Sequence, residues 1–384
     1  MIKKLKSVTL SSGFATFAMF FGAGNLVFPL VVGRFVEGKI LSALAGMLLT
    51  TVLIPFTGLV SMTLYKGDYL DFFKRVGKIP GMLMLFLLIG LIGPFGGIPR
   101  CVTLTYASIS QHLPWLNLTY FTLGAVTLIY LFCCKPSRII ALVGYVLTPL
   151  LLLFLSAILI KGLFFSPHAV NLDHFDSSSF FYGLKEGYNT MDLLATFFFA
   201  SIVYQSIEAR LTAAGRSGKI IKTSLKASCI AAGLLTIVYI GFGWLAASHS
   251  HLLNDVSSDQ LLPSVGYLVM GPIASMVIAS AVSMACLTTA IGLAAVCSEF
   301  TVVHVFRNKI SYKGALAGIL LITACCSLLG FTGIVKLLAP VLSICYPSFL
   351  ALSIVNLLYK IFDFKPVKTP VFGILTLMVV IALM

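Results

Sequence analysis

Long apolar runs separated by short polar connectors make up almost the whole chain. Stretches of the ~17–25 residues that a helix needs to cross a bilayer, or longer ones, fall at 8–33, 40–63, 80–111, 117–134, 139–160, 189–207, 221–247, 267–303, 314–331, 334–359 and 369–384. The pattern predicts an all-α polytopic membrane protein, its longer runs tilted, broken or extended beyond the lipid. The last run is short for a full crossing, at about 24 Å as a helix.

The first run carries its own interruption. Phe14 to Leu30 is apolar enough to span, yet it contains Gly22, Gly24, Asn25 and Pro29. Glycine lowers helix propensity and proline withholds an amide, so the backbone is expected to unwind between Gly22 and Pro29. Freed carbonyls and amides are costly in hydrocarbon, so such a segment belongs inside a bundle where a substrate or ion occupies it. Gly187-Tyr188-Asn189-Thr190-Met191-Asp192 repeats the theme at the start of the sixth span. Each half then opens with an interrupted span and continues through four more. Because five is odd, the second half starts from the opposite side, which predicts a five-plus-five inverted repeat with discontinuous helices 1 and 6. The expected organisation is a single transmembrane domain over 1–384, with repeats at 8–161 and 187–361 and an extra C-terminal span at 369–384. The polar connector 161–186, with His168, Asp173, His174 and Asp176, reads as an outer loop dividing the halves rather than a metal site.

Composition and charge narrow the class. Hydrophobic residues make up 59% of the 384, charged residues only 10%, and the net charge is +14. The positive excess invites a nucleic-acid partner, but its distribution removes that reading. Basic residues crowd alternate connectors (Lys3, Lys4 and Lys6; Lys66, Lys74, Arg75 and Lys78; Arg210, Arg216, Lys219, Lys222 and Lys226), whereas the other side holds Arg34, Lys39, Lys161 and Lys185. That asymmetry places the N-terminus in the cytoplasm, the first span being uncleaved, with the bilayer rather than DNA as partner. The nine cysteines never form Cys-x-x-Cys and read as compact apolar side chains. With no nucleotide loop, His-Glu-x-x-His pattern, dinucleotide fingerprint or serine elbow, neither an enzyme nor a resident cofactor is expected.

Candidate chemistry gathers at the interruptions. Amides around Gly22, Ala23, Gly24 and Asn25 suit a carboxylate, carbonyls around Tyr188, Asn189 and Thr190 suit an amine, and Phe197, Phe198 and Phe28 offer an apolar wall. Carbonyls of the first span with hydroxyls of Thr288 and Thr289 suit a sodium ion, although adjacent residues point ~100° apart and at most one faces the ion squarely. Asp192, the one acidic residue placed within a span, is either a functional carboxylate or a cap on the helix that follows. Arg100, the one arginine placed within a span, follows Gly93-Pro94 and Pro99 and is either a structural anchor or a gating residue.

Phe20-Phe21-Gly22-Ala23-Gly24-Asn25-Leu26-Val27-Phe28-Pro29, Gly93-Pro94-Phe95 with Ile98-Pro99-Arg100, Gly187-Tyr188 with Thr190-Met191-Asp192, and Ala285-Cys286-Leu287-Thr288-Thr289-Ala290 resemble the bacterial branched-chain amino acid:cation symporter family. That family is similar to the wider amino acid/polyamine/organocation superfamily. The likeness runs over essentially the whole chain. It implies sodium-driven import of leucine, isoleucine and valine across a bacterial inner membrane by alternating access. By the same likeness carbonyls of Ala18 and Phe21 join Thr288 and Thr289 around sodium, and Gly22 to Asn25 touch the substrate. The usual complement of that family is one span larger at the C-terminal end, and since the core repeat is complete by span 10, transport is expected without it. The alternatives left open are a proton-coupled or broader neutral amino acid permease and, in another class, a non-transporting membrane sensor or scaffold.

Overall fold

The computed structural model describes residues 2–134, 148–164 and 175–383. The first crossing is α1 (Ile2–Phe20) followed by α2 (Ala23–Val36), bent by 69° at the junction. The second is α3 (Ile40–Leu48) and α4 (Ile54–Leu64), joined by a wide π-type turn over Leu49–Leu53. A short α5 (Tyr69–Lys74), capped by the Asp68 side chain, leads to α6 (Lys78–Ile92) and α7 (Gly97–Ser110), separated at Gly93–Gly96. Then come α8 (Leu118–Cys133), capped by Asn117, and α9 (Thr148–Phe164). The second half opens with α10 (Ser177–Tyr188) and α11 (Asp192–Thr212), bent by 44°. It continues through α12 (Ile220–Ala247), α13 (Ser250–Leu253), α14 (Leu261–Met270), α15 (Pro272–Phe300), α16 (Tyr312–Ser327), α17 (Gly330–Phe362) and α18 (Lys368–Leu383).

Among the described residues, five continuous helical stretches are long and apolar enough to cross a membrane, seven if each bent pair is one span, and four shorter apolar helices accompany them. Their packing repeats with an offset of five crossings. The α1–α2 pair lies along α12, and in return the α10–α11 pair lies along α3 and α4. In the same way α9 leans on α12 and α15 while α17 leans on α4 and α7, and α7 meets α15 as α8 meets α16.

Four expectations need correction. The first break is confined to Phe21 and Gly22; Pro29 sits inside α2, where the only bond it forfeits is the one to the carbonyl of Asn25. The sixth crossing begins at Ser177, not near 189, so 177–186 of what reads as polar connector is helix. Its serines belong to an N-terminal cap: the Asp176 carboxylate accepts the amide of Ser179 at 2.8 Å and the hydroxyl of Ser178 at 2.6 Å. The crossing expected at 267–303 starts at Pro272, because Gly271, with φ +80°, closes α14 just before it. Asp192 is not alone among acidic residues in a crossing: Glu299 already falls within the run 267–303 and lies in α15, and Glu186 lies in α10. Residues 139–147 and 165–174, the latter with His168, Asp173 and His174, lie outside the described residues.

The serine hydroxyls and the Ser179 amide hold the Asp176 carboxyl well below its ordinary value of 3.8. A lowered folded value means that the cap stabilises fully above the ordinary carboxylate range and is lost only as pH falls through the lowered value. The melting-temperature gap between the wild type and Asp176→Ala is therefore expected to stay constant from about pH 8 to about pH 5 and to close only in stronger acid. A gap already closing near pH 6 would contradict this account.

Candidate functional site

Where the two broken crossings meet, backbone faces backbone. A Cβ added at Gly24 would lie 3.0 Å from Thr190 Cα and 3.1 Å from its carbonyl oxygen. Any side chain there would have to push the facing backbone back by a few tenths of an ångström. The second break is closed by Met191 in the left-handed region (φ 60°, ψ 21°), after which α11 starts at Asp192. A residue other than glycine in this region carries backbone strain, which persists only where the surroundings hold it.

Asn25 ties the breaks together. Its Oδ1 accepts the Gly22 amide at 3.1 Å, and its Nδ2 donates to Asp192 Oδ1 at 2.8 Å and also to the Tyr239 hydroxyl. Tyr239, from α12, donates to Asp192 Oδ2 at 2.6 Å. All three side chains are buried, so Asp192 is a fully enclosed carboxylate, and the cap position of α11 is taken by Met191 with no side-chain cap hydrogen bond. The network has a second consequence. With the Gly22 amide turned to Asn25, the Ala18 carbonyl, its partner in an unbroken helix, is released.

Thr289, from α15, lies against this break: its Oγ1 is 3.4 Å from the Phe21 carbonyl oxygen, at the long limit for a hydrogen bond. Thr288 turns away and donates to the Ala285 carbonyl at 2.8 Å within its own helix. On the other side Arg100, 1% exposed, sends Nη1 2.6 Å to the Asn189 carbonyl and lies 5.7 Å from the centre of the Phe28 ring. Asn189 itself is turned so that its Nδ2 meets Glu186 at 3.1 Å.

These groups enclose a cavity of about 40 Å³. Gly22, Ala23, Gly24, Asn25, Thr190, Asp192, Arg100 and Thr289 are on its wall, with Phe20, Phe199, Ile92 and Leu293 supplying apolar surface. Pockets for small molecules usually run to ~300 Å³ or more, so this cavity must widen before it can hold one. Tyr188 and Phe197 are elsewhere. Tyr188 stacks on Tyr346 at 4.5 Å, while Phe197 packs among Phe72, Phe73 and Phe349. Phe199, two residues on and about 200° further round α11, takes the place at the cavity expected of Phe197, edge-on to Phe20 at 5.6 Å. Tyr239 and Phe199 are the residues that reading the sequence misses; a lone hydroxyl within the apolar run 237–243 is the only signal Tyr239 gives. Among the described residues no group of three or more His, Cys, Asp or Glu side chains could hold a metal.

Two broken helices that meet over an enclosed polar patch, within packing that repeats every five crossings, define a carrier of the five-plus-five inverted-repeat class. Solved structures share this architecture. A nucleobase-cation-symport-1 family transporter in a closed conformation superposes with a TM-score of 0.60 over 91% of this chain and 78% of its own, at 13% identity. The Eremococcus coleocola manganese transporter gives 0.63 over 98% and 86%, at 15% identity. A Na+-coupled sialic acid symporter gives 0.58 over 97% and 88%, at 13% identity. The chain belongs to the family described as "Branched-chain amino acid transport protein", which it matches over residues 5–384. A Staphylococcus epidermidis relative named "Putative branched-chain amino acid carrier protein" is 32% identical over 376 residues, covering 93% of this chain and 82% of its own. A Staphylococcus aureus relative of the same description is 32% identical over 378 residues, with the same coverage.

Proposed function

We propose that this chain imports leucine, isoleucine and valine together with sodium, across a bacterial inner membrane, by alternating access with its N-terminus in the cytoplasm. The observation that carries the reading is the meeting of the two breaks at Gly24 and Thr190, over a cavity polar on one side and lined by Phe20, Phe199, Ile92 and Leu293 on the other. A branched aliphatic amino acid has that same division. Amides at the N-terminal end of α2, from Ala23 to Asn25, favour its carboxylate through the helix dipole, and the Thr190 carbonyl with Asp192 favours its amine. Tyr188, Asn189 and Phe197 serve by holding the second break in position from outside the cavity.

Sodium coupling draws support from the released Ala18 carbonyl, the Phe21 carbonyl and the Thr289 hydroxyl, with Thr288 completing the set once α15 rotates slightly. Proton coupling is the second reading, favoured by the complete burial of the Asp192 carboxylate. Labelled-leucine uptake into proteoliposomes under imposed sodium or proton gradients separates the two. Sodium-driven uptake is expected, with Thr289→Val raising the half-saturating sodium concentration about tenfold for the loss of one hydroxyl ligand and Thr289→Ser changing it little. Uptake indifferent to sodium but driven by a proton gradient would establish the second reading, and indifference to both would overturn coupled transport.

A further inference from the structure

Arg100 stands out because its charge is unmatched. It is fully buried, and the one ion pair among the described residues is Lys39 with Asp176, near the surface. Glu186 contributes to the field around Arg100 but makes no ion pair with it, its carboxylate being engaged by Asn189 Nδ2. Removing a guanidinium from water without a counter-charge is expensive, by several kcal/mol even after relaxation. The Asn189 carbonyl takes one donor, Nη1. The Nε and Nη2 atoms are buried and have no partner.

Those two atoms form one edge of the guanidinium plane, with both N–H bonds directed the same way. Such an edge matches the two oxygens of a carboxylate and no single oxygen acceptor equally well. The bond from Nη1 to Asn189 fixes the plane, so the free edge is held in one orientation before any ligand arrives. The residue also lies on the wall of the cavity, on the helix that faces the junction of the breaks.

We infer that Arg100 is the carboxylate anchor of the substrate site: when the cavity widens, its Nε–Nη2 edge takes both carboxylate oxygens of the amino acid. The ligand class is thereby an α-amino acid with a free carboxylate, and its amide or alcohol derivatives are rejected. Asn189 acts as a positioning residue, through its backbone, for that edge. The inference rests on the reading of this cavity as the amino acid site, and wild-type leucine binding tests that reading separately.

The test is competition against labelled leucine bound to the purified full-length protein, with unlabelled leucine and leucine amide as competitors. Leucine amide keeps the amine and the side chain but carries no negative charge. In the wild type, leucine is expected to compete at least about tenfold more strongly than the amide, the amount typical of one hydrogen bond to a charged group. Arg100→Gln is expected to weaken leucine by at least about tenfold and the amide by less than about threefold, so that the preference collapses. Arg100→Lys keeps a point charge without the edge and should retain part of the preference. A gating or structural role predicts something else: both competitors weaken together, or transport slows with binding unchanged, and the wild-type preference survives in Arg100→Gln. Either result overturns the inference. Should Arg100→Gln fail to elute as a folded species, Arg100→Lys carries the same comparison. A wild type that binds leucine amide as tightly as leucine overturns the inference without any variant.

Discussion

Asp192→Ala is expected to lower leucine uptake by about a hundredfold or more, the equivalent of ~3 kcal/mol, while the protein still reaches the membrane. The carboxylate is the shared acceptor for Asn25 on the first break and Tyr239 on α12, at 2.8 and 2.6 Å. Truncation takes the charged acceptor from both donors, leaving the Tyr239 hydroxyl proton unpaired and Asn25 Nδ2 with the Tyr239 oxygen alone, and each hydrogen bond to a charged group contributes ~1.5–3 kcal/mol. The two breaks then lose the tie that sets their spacing. Asp192→Asn is a finer probe. An asparagine presents one acceptor oxygen and one donor amide, so either Asn25 Nδ2 or Tyr239 faces a donor and loses its bond. Uptake by Asp192→Asn is expected between that of the wild type and Asp192→Ala. Initial rates in proteoliposomes, normalised to protein content, give the measurement, and wild-type rates in Asp192→Ala would refute the role given to this network.

The second large effect concerns stability. Gly183 of α10 lies so close to α3 that an added Cβ would stand 1.9 Å from the Ala43 carbonyl oxygen, and Gly46 of α3 faces the Phe180 carbonyl at 2.0 Å in the same way. Both obstacles are backbone, so no rotamer change relieves them. Gly183→Ala must push the helices apart and is expected to cost about 3 kcal/mol, at the upper end for overpacking. Lowered thermal stability in detergent is the readout. Gly124, whose added Cβ meets nothing, is the control, and Gly124→Ala should hold or slightly raise the transition. Equal transitions for the two variants would show that the contact is loose.

How far the sequence alone leads is shown by the breaks. Both are legible, because Gly-Ala-Gly-Asn and Gly-Tyr-Asn-Thr-Met-Asp put helix-weakening and polar residues in runs otherwise fit for lipid. Their lengths are not. Proline reads as a stop, yet Pro29 loses only one bond and is carried within α2; Met191 supplies a left-handed turn for which its residue type gives no sign. Phase is also lost: without the starting residue of α11, nothing tells Phe197 from Phe199, although the two face opposite ways. Tyr239 and Asp192 are 47 positions apart, and a hydrogen bond between separate helices leaves no trace in periodicity. The start of α10 is missed because a serine run that reads as linker is a cap.

The wide turn at Leu49–Leu53 also brings a carbonyl of the second crossing to α17. Tyr346 donates its hydroxyl to the Thr50 carbonyl at 3.0 Å, and the Tyr346 hydroxyl oxygen in turn accepts the Leu193 amide at 3.3 Å. An ordinary helical turn would have one residue fewer. Deleting a single position between 49 and 53 would restore regular winding and leave everything beyond it facing nearly as it does, because five residues of a wide turn cover about the angle that four cover in an α-helix. Gly58 would still lie under the methyl of Thr196. The surplus residue is thus taken up within the turn itself: losing it would keep α4 aimed at α11 and remove the local winding that presents the Thr50 carbonyl to Tyr346.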